Sequence, residues 1–167
     1  MYLIISAVAL AIGGAIAIAL LAKRPYRIKY VTLQKLPIYL DALLKRGHNG
    51  AFLRIEDMDS EKFLQFSKYI QPNRRIGLEL SFPKSPWSEP YYQELKSFLR
   101  RQHINFDITP MEAAPTEEFL DVDCQSDLAL AERLAEGIFR EVFQRRGELF
   151  FRLTPINISA KDELIDN

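Results

Sequence analysis

The sequence predicts a single α+β domain behind one N-terminal transmembrane helix, and three observations predict it. Residues 2–22, YLIISAVALAIGGAIAIALLA, carry no charge at all. Stretches 51–56, 75–82 and 118–123 alternate apolar and polar residues, as half-buried strands do. Stretches 33–46, 89–102 and 126–146 instead repeat their apolar residues at helical spacing.

The first stretch sets where the chain sits. About 20 apolar residues cross the hydrocarbon core of a bilayer as a helix, so Tyr2 to Ala22 are long enough and dry enough to span. Ala17-Ile18-Ala19 has the form of a signal-peptide cleavage site. Only Met1 precedes the run, however, and no Lys or Arg does, so the stretch reads as an uncleaved anchor. Lys23, Arg24, Arg27 and Lys29 follow it, and such clusters are retained on the cytoplasmic side. The expectation is a single-pass protein of a bacterial inner membrane, its C-terminal domain cytoplasmic, in contact with lipid through residues 2–22. Ala7, Ala11, Ala15 and Ala19 recur every fourth residue, with Ala9, Gly13 and Ala17 as a second row. Small-residue rows of this kind let helices approach closely, which makes a homodimer an expectation too.

The expected division is an anchor with its basic flank at 1–24, a soluble domain at 25–154 and a polar tail at 155–167. All 22 Lys and Arg and all 22 Asp and Glu lie beyond Ala22. They are unevenly placed: residues 23–103 hold 16 basic and 8 acidic side chains, residues 104–167 hold 6 and 14. Folding is expected to interleave the two halves. Cys124 is the only cysteine, so no disulfide forms within the chain, which fits a reducing compartment.

Along the domain, Leu33 to Arg46 reads as a helix with Leu36, Leu40, Leu43 and Leu44 on one stripe. Pro37 falls in its first turn and Gly47 at a left-handed cap. His48-Asn49-Gly50 then turns into the strand Ala51–Glu56. Lys62 to Ile70 is ambiguous. As a helix it aligns Phe63, Phe66 and Ile70; as a strand it puts Leu64, Phe66 and Ile70 on one face, and periodicity does not decide so short a run. Arg75 to Phe82 is a strand ended by Pro83 and Pro86, and Ser88 is placed to cap a helix from Glu89 to Gln102. A short extended piece at Ile104–Thr109 and a loop at Pro110–Pro115 follow. The strand Glu118–Asp123 has Leu120, Val122 and Cys124 on one face. A helix from a Ser126 cap to Arg146 and a final strand at Glu148–Leu153 complete the domain.

In this order GAFLRIED, KFLQF, RIGLELSFP, SEPYYQELKSFL, EFLDVDC and DLALAERLAEGIFREVF resemble the chaperone-like superfamily that groups the YbjN proteins with type III secretion chaperones (TY-Chap). The resemblance runs over roughly Leu33 to Gln144. It implies an α-β-β-β-α-β-β-α layout with an antiparallel sheet packed by helices, in which KFLQF is a strand. It also implies a non-enzymatic module that binds protein segments and often dimerises. The membrane span is a departure from the soluble secretion chaperones.

Catalytic signatures are sparse. Cys124 precedes a helix N-terminus, which favours thiolate, but follows Asp121 and Asp123, which oppose it. Neither CxxC nor HxxxH occurs, so no metal is expected, and no glycine-rich loop suggests a cofactor. Of the pairs Arg74-Arg75, Arg100-Arg101 and Arg145-Arg146, two end helices, where cations belong anyway, so nucleic acid is not an expected partner. Asn157-Ile158-Ser159 and the internal KDEL at 161–164 lack the context their motifs need. Trp87, Tyr91 and Tyr92, bunched with Pro83, Pro86 and Pro90, are the expected partner-binding residues. The expected function is therefore a membrane-anchored, non-enzymatic protein-binding module, chaperone-like or an adaptor, with the protein partner unknown. The alternative is a membrane-tethered α/β enzyme using Asp121, Asp123 or Cys124, which requires KFLQF as a helix and parallel strands joined by crossovers.

Overall fold

The computed structural model describes residues 27–111 and 114–159. The anchor expected at 2–22, with Lys23 and Arg24, lies outside them. Among the described residues no helix is long and apolar enough to cross a membrane. Seven strands form one antiparallel sheet: β1 Ile28–Thr32, β2 Gly47–Asp57, β3 Phe63–Ile70, β4 Ile76–Pro83, β5 Asp107–Met111, β6 Ala114–Gln125 and β7 Phe150–Ile158. They lie in the order β1-β7-β2-β3-β4-β6-β5. Three helices accompany them: α1 Leu36–Arg46, α2 Glu89–Arg101 and α3 Leu128–Gly137. The expected α-β-β-β-α-β-β-α order is found from α1 to α3, bracketed by two strands, β1 and β7. The expected interleaving of the two halves is found only in part: β7 sits between β1 and β2, while the acidic strands β6 and β5 stay together at the other edge.

The helices all cover one face. Leu36, Leu40 and Leu43 of α1, Tyr92, Leu95, Phe98 and Leu99 of α2, and Ala131, Leu134 and Ala135 of α3 are buried there. They meet the inward residues of the strands, among them Leu53, Ile55, Leu64, Phe66, Leu80, Leu120, Val122 and Phe151. Burying each such side chain is worth about 1.5–3 kcal/mol, so this face holds the fold together.

Pairing settles the ambiguous run: residues 63–70 are extended, with Phe66 opposite Leu53 on one side and Leu80 on the other. Several boundaries differ from the sequence reading. Gly47 is no left-handed cap; it is extended (φ −66°, ψ 142°). A Cβ there would lie 2.5 Å from the Leu43 carbonyl oxygen, so glycine serves a close approach, and the positive φ falls at Gly50 instead. Ser88 does not cap α2 through its side chain. The α3 cap is Asp127, whose carboxylate accepts from the Leu130 N–H at 2.9 Å, in place of Ser126. That helix does not run evenly to Arg146 either. After Gly137, against which the Phe98 ring packs, it widens into a π turn at Ile138–Val142. Residues 155–158 belong to the sheet rather than to a tail, with Pro155 opposite Leu53 and Ile156 opposite Phe52. The proline is tolerated because β1 reaches only to the level of Leu153, leaving its nitrogen side without a strand partner.

Candidate partner-binding surface

Among the described residues, the strand alternation that buries one face leaves the other free of helices. This open face carries Phe52, Arg54 and Glu56 from β2, Phe63 and Tyr69 from β3, Glu79 from β4, Asp121 and Asp123 from β6, and Arg152 from β7. Most of these are half-buried.

One corner of it is aromatic and cationic. Phe63 stacks on Trp87 with ring centroids 4.7 Å apart, and the Arg54 guanidinium lies 3.7 Å from the Phe63 centroid. Glu56 sits between Arg54 at 3.4 Å and Arg152 at 2.8 Å, so two guanidiniums share one carboxylate. The Nε atoms of both arginines are buried without a hydrogen-bond partner. Trp87 is held by the turn before α2. There the buried Ser88 hydroxyl donates to the Pro83 carbonyl at 2.5 Å and accepts from the Ser85 N–H at 2.9 Å. A serine placed in the sequence as a helix cap therefore locks the turn that presents the indole.

The expected trio divides. Trp87 is 38% exposed and belongs to the corner, its edge also meeting Phe82 at 5.7 Å. Tyr91 is half-buried, packed edge-on to Phe143 at 5.2 Å with the Lys62 ammonium 4.4 Å from its centroid. Tyr92 is 0% exposed and so offers no surface to a partner. Burial and the nearby Glu118 carboxylate raise its phenol well above the ordinary range, and its hydroxyl has no partner of hydrogen-bond geometry. Prolines and aromatics crowded in sequence mark a structured turn, but an α-helix sends consecutive residues in different directions. Arg54, Phe63 and Arg152, which complete the corner, were not singled out from the sequence. No local spacing rule joins residues from three separate strands.

The opposite end of the open face is acidic. Asp107 pairs directly with Asp121, and Asp123 with Glu79. Tyr69 donates to Asp123 at 2.7 Å, and burial followed by that bond pushes its phenol up to about 12. Burial first, then the charges of Asp121, Asp123 and Asp107, raises Glu79. Cys124 faces the other way, into the core at 1% exposure, and burial pushes its thiol up to about 12. The carboxylates and the thiol named for the enzyme alternative thus lie on opposite faces of β6. The sheet is antiparallel, so the parallel crossover arrangement that alternative requires is not formed. Among the described residues no three His, Cys, Asp or Glu are grouped to hold a metal.

Of the cations expected to flank a membrane, Arg27 and Lys29 are described, and both are exposed. Compared with protein-family models, with curated proteins and with solved structures, the chain matches none.

Proposed function

We propose that the chain is a membrane-anchored protein-binding module that holds a protein segment on the open sheet face, at the Trp87 corner. The observation that carries this reading is the half-exposed indole of Trp87, fixed on Phe63 beside Arg54. Tryptophan and arginine are the residues most enriched at binding hot spots, and a side chain already immobilised in the free protein loses little entropy on binding. The chemistry suits a segment that lays an apolar side chain on the indole and offers a carboxylate to Arg54 and Arg152, which share only Glu56. The resemblance to the YbjN and secretion-chaperone superfamily supports a binding role, and the uncharged 2–22 stretch followed by Lys23, Arg24, Arg27 and Lys29 supports a cytoplasmic domain on an inner-membrane anchor. Self-association through the small-residue rows of that stretch fits the same picture.

The test is photocrosslinking of the full chain in its membrane, comparing the wild type with Trp87→Ala and Arg54→Ala. Each variant should weaken a captured partner by about tenfold or more, the range of a hot-spot truncation. Tyr30→Ala, which removes another exposed aromatic, should leave capture unchanged. Equal capture by all four proteins would remove the corner from the interface, and a C-terminal reporter active only in the periplasm would overturn the orientation.

A further inference from the structure

The two ends of the sheet differ as much as its two faces. At the end where Gly47 meets Ile158, three features come together, the C-terminus of α1, the turn between β3 and β4, and the exit of β7, and β1 begins on the same side, level with Leu153. The turn is tightly built. Arg74 N–H donates to the Gln71 carbonyl at 2.8 Å, Gln71 N–H to the Arg75 carbonyl at 2.9 Å, and Ile70 N–H to the Asn49 side chain at 2.8 Å.

Its composition does not fit a plain solvent turn. Ile70 and Ile76 face each other across the strands, 39% and 42% exposed. Every other residue on that side of β3 and β4 is buried, from Leu64 and Phe66 to Leu78 and Phe82. This apolar pair therefore projects beyond the core. Beside it Arg74 occupies a left-handed position (φ 64°), one that glycine would adopt without strain. Neither Arg74 nor Arg46, at the same end, has a carboxylate partner among the described residues. Three carboxylates lie toward this end: Asp123, 3.8 Å from Arg75, Glu79 directly opposite it on β4, and Asp127, which accepts from the Leu130 N–H of α3.

We propose that the Ile70–Ile76 turn is a second membrane contact, with the isoleucine pair in the headgroup layer of an anionic bilayer and Arg74 and Arg46 against its phosphates. This rests on reading residues 2–22 as the anchor. Five residues separate Ala22 from Ile28, and at about 3.3–3.6 Å per residue they reach roughly 20 Å at most. Ile28 is level with Leu153, Ile55 and Leu64, so the turn, three to four strands away, also projects about six residues, or roughly 20 Å, beyond the start of β1 toward this end. A tether no longer than that offset brings the turn to the bilayer surface, and clustered cations there favour anionic lipid.

The burial of Cys124 leaves an introduced surface cysteine as the accessible labelling site. Full-length chains carrying Gln71→Cys or, at the other end of the domain, Glu148→Cys would be labelled with bimane and reconstituted into vesicles with nitroxide-headgroup lipid. One set of vesicles is phosphatidylcholine with phosphatidylglycerol, the other phosphatidylcholine alone. The Gln71 label should be quenched several-fold more than the Glu148 label on anionic vesicles. The excess should shrink on neutral ones and in the Arg74→Glu, Arg46→Glu background. Equal quenching of the two labels in a chain that resists carbonate extraction, or equal excess on neutral lipid, overturns the turn contact alone. A chain that carbonate removes overturns the anchor, and the turn contact with it.

Discussion

The two faces of the sheet are made by the same strands, yet they are built on different terms. On the covered face Leu53, Phe66, Leu80 and Val122 are buried beneath three helices, with Asp57 and Lys68 as buried charged residues on the same side of β2 and β3. One step along each strand, Arg54, Gln65, Ser81 and Asp121 form a surface of half-buried polar groups. The covered face supplies the stability, while the open face spends it. Its arginines keep unpartnered Nε atoms, its carboxylates crowd together, and its largest aromatic, Trp87, is left partly in water. The proposed binding role rests on that half-exposed aromatic beside the two arginines.

The largest expected effect comes from two aromatics five residues apart. Tyr92→Ala removes a fully buried ring and should cost about 3–5 kcal/mol, the range for large aromatic truncations. Trp87→Ala gives up its stacking on Phe63 and the burial of part of its ring, and should cost less, about 1.5–3 kcal/mol. Urea unfolding of the full chain in micelles measures both. Similar losses at the two positions would mean that Trp87 is core and not surface, and would remove the corner as a site.

This pair also marks how far the sequence could be read. The alternation of Ile76, Leu78, Leu80 and Phe82 and the leucine stripe of α1 are local patterns, and the elements follow from them. Residues 62–70 fit two periods until β2 and β4 are placed beside them. Strand β1 was missed because Tyr30 is left-handed (φ 61°) and a bulge between Ile28 and Val31 breaks its alternation. The far end of β7 was missed because Pro155 reads as a stop unless its partners are known. Trp87 was found as an oddity of composition. What it stacks on was not legible, since Phe63 lies 24 residues away and its contact depends on the whole sheet.

On each side of the sheet one glycine lies against an aromatic ring. The Phe98 ring lies where a Gly137 side chain would be, and the Tyr69 ring where a Gly77 side chain would be. Phe98 is buried and has nowhere to go, so Gly137→Ala should destabilise by about 1–3 kcal/mol even after its gain in helix propensity. Tyr69 can swing outward, giving up its bond to Asp123, and Gly77→Ala should cost no more than about 1 kcal/mol, the worth of one such bond. Thermal unfolding of the two variants reads the difference. A costlier Gly77→Ala would show the open face to be as rigid as the core.

The smallest effect tests whether the acidic end of the open face costs stability at all. Glu79 is held above its ordinary value by burial and by Asp121, Asp123 and Asp107. A carboxyl raised in the folded state is better protonated there than in the unfolded chain. Its contribution is therefore full below about pH 4, the unfolded value, and is lost as the pH rises through the raised folded value. Glu79→Gln keeps the shape and removes the charge. It should stabilise the chain at neutral pH by less than about 1 kcal/mol, as expected for partly screened charges, and the gain should fade toward pH 4. Urea midpoints at the two pH values decide it. A variant no more stable at neutral pH, or one whose gain persists in acid, would mean that solvent already relieves the crowding, and the acidic end would then be an ordinary solvated surface rather than a cost kept for a partner.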